Sequence, residues 1–133
     1  FIMNVKNIML SKNDFPILNQ NAIFKNALDS MGNSRLGIVC LIDEKSKLMG
    51  LITDGDVRRK LLSNQKPLSA IMVDYAIKHS IVNPVCCNEN DSLESAVRLM
   101  GDKEVWDLPV LNETGELVGL LHLHNAVKVL LNI

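Results

Sequence analysis

The side chains best suited to bind a small molecule lie in one short stretch, Thr53-Asp54-Gly55-Asp56-Val57-Arg58-Arg59. The apolar residues from Leu48 to Ile52 predict a strand that ends at Thr53, and the pattern after it predicts a helix. The Asp56 carboxylate can accept hydrogen bonds from two neighbouring sugar hydroxyls. Arg58 and Arg59 would lie beside the free N–H groups of the helix start, where a phosphate is favoured. The same residues also fit a structural alternative, in which Asp56 caps the helix and both arginines are solvated.

A second stretch repeats the first at a constant offset of 69 residues, so that Gly119–Lys128 aligns with Gly50–Arg59. His122 stands where the first copy has Thr53, and Asn125 stands where it has Asp56. The charged hydroxyl acceptor is therefore missing, because an amide makes only neutral hydrogen bonds. We expect the first copy to hold the tighter site and the second to be empty, weak or devoted to another group.

His122 and His124 have the spacing of two metal ligands on one strand face. No third ligand is recognisable in the sequence, so we expect no metal site and no cofactor. An unperturbed imidazole becomes charged near pH 6.5, which would make the attraction of these side chains for a phosphate or carboxylate pH-dependent. Trp106 could stack on a ligand, although a core or interface position is commoner for tryptophan.

The elements that position these residues form an α/β fold with two β-α-β-β-α units. Such repeats normally pack about a pseudo-twofold axis, so we expect the binding clefts between them. The predicted domains are residues 1–62, a linker at 63–67 and residues 68–133. Predicted helices begin at Asn21 and at Asp91-Ser92 and end at Gly32 and Gly101; the strands are Leu36–Ile42, Leu48–Thr53, Val105–Leu111 and Leu117–His122; the closing helices are Gly55–Leu62 and Asn125–Leu131.

Composition narrows the class of protein. The chain has 133 residues, 47% of them hydrophobic, which is enough for one sizeable core. A net charge of -1 and 4% aromatic residues give no reason to expect a nucleic-acid partner. No apolar run is long enough to cross a membrane, and three cysteines without a CxxC motif fit a reducing compartment. We therefore expect a cytoplasmic location and no membrane partner.

The repeated unit resembles a CBS domain, and the two copies together resemble a CBS pair, or Bateman module. The resemblance rests on Ile8-Met9, Leu36-Gly37-Ile38-Val39, Asp43 and the Gly50–Arg59 stretch, and it covers almost the entire chain. The edges, Ile8–Pro16 and Gly119–Asn125, are similar to the CBS tail of arabinose-5-phosphate isomerases of the KpsF/GutQ type. Sugar nucleotidyltransferases with CBS tails are the alternative, because they share the Thr-Asp-Gly-Asp-Val-Arg-Arg run.

The resemblance implies which residues surround a ligand, with a base held between the strand near Gly37 and the leader near Pro16. In the first copy the implied nucleotide-binding residues are Phe15, Pro16, Ile17, Leu36, Gly37, Ile38, Thr53, Asp54, Asp56, Arg58 and Arg59. In the second cleft they are Pro84, Val85, Trp106, Asp107, Leu108, His122, His124 and Asn125.

The expected function is that of a regulatory module without catalytic residues, which binds a nucleotide or nucleotide sugar (an adenine nucleotide or a CMP-sugar). It would modulate an attached sugar-phosphate isomerase. A non-binding dimerisation module is the alternative. We also expect a homodimer, because the apolar stripes Ile23/Ala27/Met31 and Leu93/Val97/Met100 exceed what one small core requires.

Overall fold

The computed structural model describes residues 3–63 and 65–133. Phe1 and Ile2, and Asn64 of the predicted linker, lie outside the described residues. Seven strands and five α-helices are described in these ranges. In chain order they are β1 (Leu10–Ser11), β2 (Ile17–Asn19), α1 (Phe24–Ser34), β3 (Ile38–Ile42), β4 (Leu48–Thr53), α2 (Asp54–Ser63), α3 (Leu68–Met72), β5 (Cys87–Asn88), α4 (Leu93–Lys103), β6 (Asp107–Leu111), β7 (Leu117–His122) and α5 (Leu123–Leu130). The two β-α-β-β-α units are confirmed as β2-α1-β3-β4-α2 and β5-α4-β6-β7-α5.

The first repeat is built on a three-stranded sheet in the order β2-β3-β4. β2 runs parallel to β3, and β3 runs antiparallel to β4 with Ile38 opposite Thr53. β3 is almost entirely buried, as its continuous apolar run predicts for a central strand. The core beneath the sheet includes Phe24, Ala27 and Met31 of α1. This sheet brings the end of β4, and hence the head of α2, next to the start of β3.

The second repeat has the same order of strands with one addition. Its four-stranded sheet runs β1-β7-β6-β5, so the short strand β1 from the start of the chain pairs antiparallel with β7. β6 and β7 are antiparallel, with Asp107 opposite His122. A separate core of buried side chains lies under this sheet, including Leu93, Met100 and Leu121.

By its internal contacts the chain divides into two compact units, each of which combines parts of both sequence repeats. One unit comprises residues 15–84, and the other comprises residues 1–14 together with 85–133. The leader of a repeat is the segment that precedes it in the chain. The leader that ends at Asp14 thus packs with the second repeat, and the leader that ends at Pro84 packs with the first. Backbone hydrogen bonds account for this division: the Phe24 N–H donates to the Asp74 carbonyl in the first unit, and the Val5 N–H donates to the Asp91 carbonyl in the second.

The apolar stripes expected to face a partner subunit are mostly buried within their own units. Ala27, Met31, Leu93 and Met100 are at most 6% exposed and belong to the two cores, whereas Ile23 and Val97 are partly exposed. The stripes therefore offer only a small apolar surface to a partner. None of the described helices is both long and apolar enough to cross a bilayer.

Candidate functional site

The predicted binding residues Thr53 and Asp56 form a hydrogen-bonded pair at the junction of β4 and α2. The Thr53 hydroxyl and backbone N–H donate to Asp56 Oδ2 at 2.7 and 3.1 Å. In return the Asp56 N–H donates to the Thr53 hydroxyl oxygen at 3.3 Å. This reciprocal pattern is that of a capping box, in which side chains satisfy backbone donors at a helix start. The structural alternative for Asp56 is therefore realised, and the carboxylate also remains 17% exposed.

Arg59 completes the cluster, whereas Arg58 makes no ion pair among the described residues. Arg59 Nη2 lies 2.7 Å from Asp56 Oδ1. The guanidinium folds over Gly55, because a β-carbon added there would lie 3.1 Å from Arg59 Nη1. A cation is thus held against the first turn of α2, while 66% of the Arg59 side chain remains exposed. The cluster offers a carboxylate and a movable guanidinium to the same ligand.

The start of β3 comes close to the same junction. The Asp54 N–H donates to the Gly37 carbonyl at 3.0 Å, and a β-carbon at Gly37 would lie 2.6 Å from Asp54 Oδ2. A larger residue at Gly37 would require the Asp54 carboxylate to shift. An open depression of about 330 Å³ adjoins Asp54. It is lined by Leu28, Met31, Gly32, Arg35, Leu36 and Asp54, of which the sequence predicted only Leu36 and Asp54.

The remaining residues predicted for the first cleft lie in the same unit but differ in accessibility. Phe15 is 6% exposed and Ile38 is 1% exposed, so both side chains are part of the buried core. Ile17 pairs with Cys40 in the parallel sheet, and the Pro16 carbonyl accepts from the Cys40 N–H at 3.0 Å. These residues can meet a ligand chiefly through the backbone.

At the matching junction of the second repeat the capping pair is replaced by an acid and a histidine. His122 Nδ1 lies 2.8 Å from Asp107 Oδ1 across β6 and β7. The Asp107 side chain is 15% exposed and that of His122 is 30% exposed. Burial raises the pKa of the Asp107 carboxyl above its usual range, and the hydrogen bond to His122 acts in the opposite direction. His122 precedes α5 without capping it through its side chain.

The other residues predicted for the second cleft are only partly brought together. The His124 ring centroid lies 6.5 Å from that of His122, and Trp106 is 71% exposed. Leu108 is fully buried, so it belongs to the core. Val85 lies in the same unit as these residues, whereas Pro84 belongs to the unit formed by residues 15–84.

Sequence reasoning missed two features of this chain. One is His79, whose side chain is 3% exposed, lies 2.9 Å from Asp74 through Nε2 and packs edge-on against Phe24. The other is the Asp107–His122 pair, although the register of the hairpin predicts that these two residues face each other. Burial also raises the pKa of Cys87 to about 12, which leaves it without reactive thiolate near neutral pH.

The chain matches the profile of the CBS domain twice, over residues 5–63 and 72–132. Among curated relatives, it is 25% identical over 132 residues to the arabinose 5-phosphate isomerase KdsD of Francisella tularensis, covering 96% of this chain and 38% of that enzyme. It is 27% identical over 130 residues to an uncharacterized protein of Rickettsia prowazekii, again covering 38% of that protein. The chain therefore spans less than half the length of these relatives.

Solved structures share the fold at lower identity. CBSX2 in complex with AMP aligns with a TM-score of 0.85 and 22% identity, covering 98% of this chain and 97% of that one. The CBS domain pair of protein MJ0100, in complex with 5'-methylthioadenosine and S-adenosyl-L-methionine, aligns with a TM-score of 0.80 and 19% identity over 99% of this chain and 98% of that one.

Proposed function

The chain belongs to the CBS domain family, and from that premise we propose that it is a regulatory CBS pair that binds a nucleotide or nucleotide sugar through its first repeat. The observation that carries the proposal is the Thr53–Asp56–Arg59 cluster at the head of α2, which joins a partly exposed carboxylate to an exposed guanidinium. Similar folds with AMP and S-adenosyl-L-methionine bound support a nucleotide as the ligand class.

The cluster can bind a nucleotide with little rearrangement. Asp56 Oδ2 accepts from both the hydroxyl and the N–H of Thr53, whereas Oδ1 accepts only from Arg59, so Oδ1 can receive a sugar hydroxyl while Oδ2 still accepts from Thr53. The Arg59–Asp56 ion pair is largely solvent-exposed on the arginine side and contributes at most about 1 kcal/mol. Arg59 can therefore leave Asp56 for a phosphate, and Asp56 Oδ1 becomes available to the sugar.

In the full-length protein this site would report nucleotide levels to an attached catalytic domain. The similarity to KdsD supports a sugar-phosphate isomerase as that domain. The chain covers 38% of KdsD, so most of that enzyme lies outside the matched region. We propose a cytoplasmic setting for such an enzyme of sugar-phosphate metabolism.

A second candidate function is a structural module that holds subunits together without binding a ligand. It is favoured by one observation, namely that both carboxylate oxygens of Asp56 already accept hydrogen bonds from Thr53 and Arg59. In this case the cluster would serve only to begin α2.

A thermal-shift panel of AMP, ATP, CMP, S-adenosylmethionine and a CMP-linked sugar separates the two candidates. A binding module gains stability that grows with the concentration of at least one nucleotide, because the ligand binds only the folded state. Asp29→Asn, which removes an exposed carboxylate from the pair with Lys25, is the matched control and should respond like the wild type. No shift with any of the five compounds up to millimolar concentrations favours the structural module.

A further inference from the structure

The junction of β7 and α5 contains an acid–histidine pair that has no counterpart in the first repeat. Asp107 and His122 occupy the positions of Ile38 and Thr53, and the Oδ1–Nδ1 distance is 2.8 Å. Asp107 is mostly buried, while 30% of the His122 side chain is exposed. A carboxylate at a largely buried position needs a hydrogen-bond donor, and His122 supplies it.

This contact fixes the role of each ring nitrogen. With Nδ1–H donated to Asp107, the neutral imidazole of His122 presents Nε2 as a bare acceptor. Among the described residues no side chain or backbone group bonds to that nitrogen. When the ring takes up a proton, Nε2 becomes an N–H donor and the ring becomes a cation, which reverses what the atom can bind.

The charged groups around His122 amplify this reversal. β6 contributes Asp107, α5 contributes His124, and β1 pairs with β7 through Leu10 and Ser11, which carry no charge. His124 is exposed, and its ring centroid lies 6.5 Å from that of His122. With Asp107 ionised, protonation of both rings changes the local charge from one net negative to one net positive.

We propose that the second repeat holds a proton-gated site for an anionic group, a phosphate or a carboxylate, in which His122 Nε2 binds the anion and Asp107 positions His122. The site opens below neutral pH and closes above it. This site lies in a different repeat from the proposed nucleotide site. The proposal therefore does not depend on nucleotide binding by the first repeat.

Sulfate tests the gate, because its two charges do not change between pH 5.5 and 8. Nuclear magnetic resonance of the full chain can follow the two imidazoles and the indole N–H of Trp106, which is the single tryptophan and adjoins Asp107. At constant ionic strength we expect sulfate to bind at least tenfold more tightly at pH 5.5 than at pH 8. Methyl phosphate and acetate, titrated in the same way, distinguish phosphate from carboxylate as the preferred group.

Three variants locate the effect. His122→Thr, which copies the residue of the first repeat, should abolish the acid-dependent gain, and His122→Gln serves if that variant does not fold. His79→Gln changes a histidine of the other unit and should retain the gain. Asp107→Ile copies Ile38 and should move the gain to lower pH, because a neighbouring carboxylate favours the charged ring.

Equal sulfate affinity at both pH values overturns the site, as does a gain that survives both His122 variants. An unchanged pH profile in Asp107→Ile overturns the positioning role of Asp107. Nucleotide binding by the first repeat is measured separately in the panel above, so failure of one proposal is distinguishable from failure of the other.

Discussion

Asp56 can serve two purposes at the head of α2. As part of a capping box with Thr53 it satisfies backbone donors that the helix leaves unpaired. Because a carboxylate accepts several hydrogen bonds, the same group can also receive sugar hydroxyls. A residue that is needed to start the helix is held in one orientation, and this preorganisation benefits a ligand that uses it.

Thr53→Val tests the structural half of this account. The variant removes the hydroxyl that donates to Asp56 Oδ2 and accepts from the Asp56 N–H. We expect the free energy of unfolding to fall by about 1 kcal/mol, the usual value of a helix cap. Urea unfolding followed by circular dichroism measures the loss. Thr53→Ser restores the hydroxyl and should recover most of it; equal stability of Thr53→Val and the wild type would show that the cap contributes nothing.

Asp74 predicts a pH dependence of stability. The hydrogen bond from His79 holds the pKa of the Asp74 carboxyl below its ordinary value of 3.8, with burial opposing and Lys78 assisting. A pKa that is depressed in the folded state stabilises the protein above the unfolded value, and this contribution is lost as the pH falls through the folded value. Asp74→Asn should therefore lower the melting temperature at pH 6, and this effect should become smaller as the pH falls below 3.8.

Asp29→Asn, in an exposed ion pair with Lys25, is the control for that comparison. If the Asp74→Asn variant differs from the wild type by the same amount at pH 6 and pH 3, the His79–Asp74 contact does not act through the charge of Asp74.

Short-range groupings of residues follow from the sequence directly, whereas cross-strand ones require the strand register as well. The Thr53–Asp56 contact spans three positions, so the sequence alone brings it together. The Asp107–His122 contact spans fifteen positions and depends on the hairpin register. The burial of His79 depends on Phe24, which is still farther away in the chain. No local pattern contains that information.

The long helices and the four long strands of the two repeats were predicted in kind and order, whereas the short strands β1, β2 and β5 were not located and several ends differ. α1 and α4 were expected to stop at Gly32 and Gly101, but they continue to Ser34 and Lys103. The left-handed caps are Arg35 and Glu104, with φ of 59° and 56°. Glycine is the commonest residue at this position, and its presence three residues earlier was misleading. Likewise α1 begins after Ile23 instead of Asn21, whose N–H bonds to the Asn19 side chain.

The pairing of β1 with β7 depends on a glycine. A β-carbon at Gly119 would contact Met9 Sδ and would lie 2.8 Å from the Leu10 carbonyl oxygen, which is backbone and cannot turn aside. We expect Gly119→Ala to lower the free energy of unfolding by about 1–3 kcal/mol through overpacking. Chemical denaturation measures this change.

Gly101→Ala is the matched control, because nothing lies within 4 Å of a β-carbon there and alanine favours the helix by about 1 kcal/mol. If both variants behave alike, the close approach of β1 to β7 is not a constraint on the fold.

For the chain as a whole, the sequence revealed the repeat but not the exchange of leaders between repeats. The offset of 69 residues assigns each leader to the unit that follows it, whereas the structure places residues 1–14 with 85–133. A short leader carries too few apolar residues to specify its own partner. Its position follows from tertiary contacts, such as the bond between Val5 N–H and the Asp91 carbonyl.

Association into a homodimer remains a prediction, and most residues of the α1 and α4 stripes are too buried to contribute a large contact. The unit of residues 15–84 exposes several large apolar side chains, among them Leu62 at 81%, Tyr75 at 62% and Leu68 at 49%. We expect sedimentation to show a dimer at tens of micromolar and Leu62→Glu to weaken it, because burying an unpaired charge is costly. Asn26→Glu on α1 is the control. A monomer at these concentrations contradicts the prediction.

The most direct test of the account is a calorimetric titration of the full chain with the nucleotide that gives the largest shift in the five-compound panel. We predict one tight site per chain, weakened about tenfold or more by Asp56→Asn and unchanged by Asn125→Ala, because a charge-assisted acceptor becomes a neutral one at a cost of about 1.5–3 kcal/mol. Circular dichroism checks that both variants are folded. Two equal sites, lost in Asn125→Ala and retained in Asp56→Asn, would contradict the assignment of nucleotide binding to the first repeat.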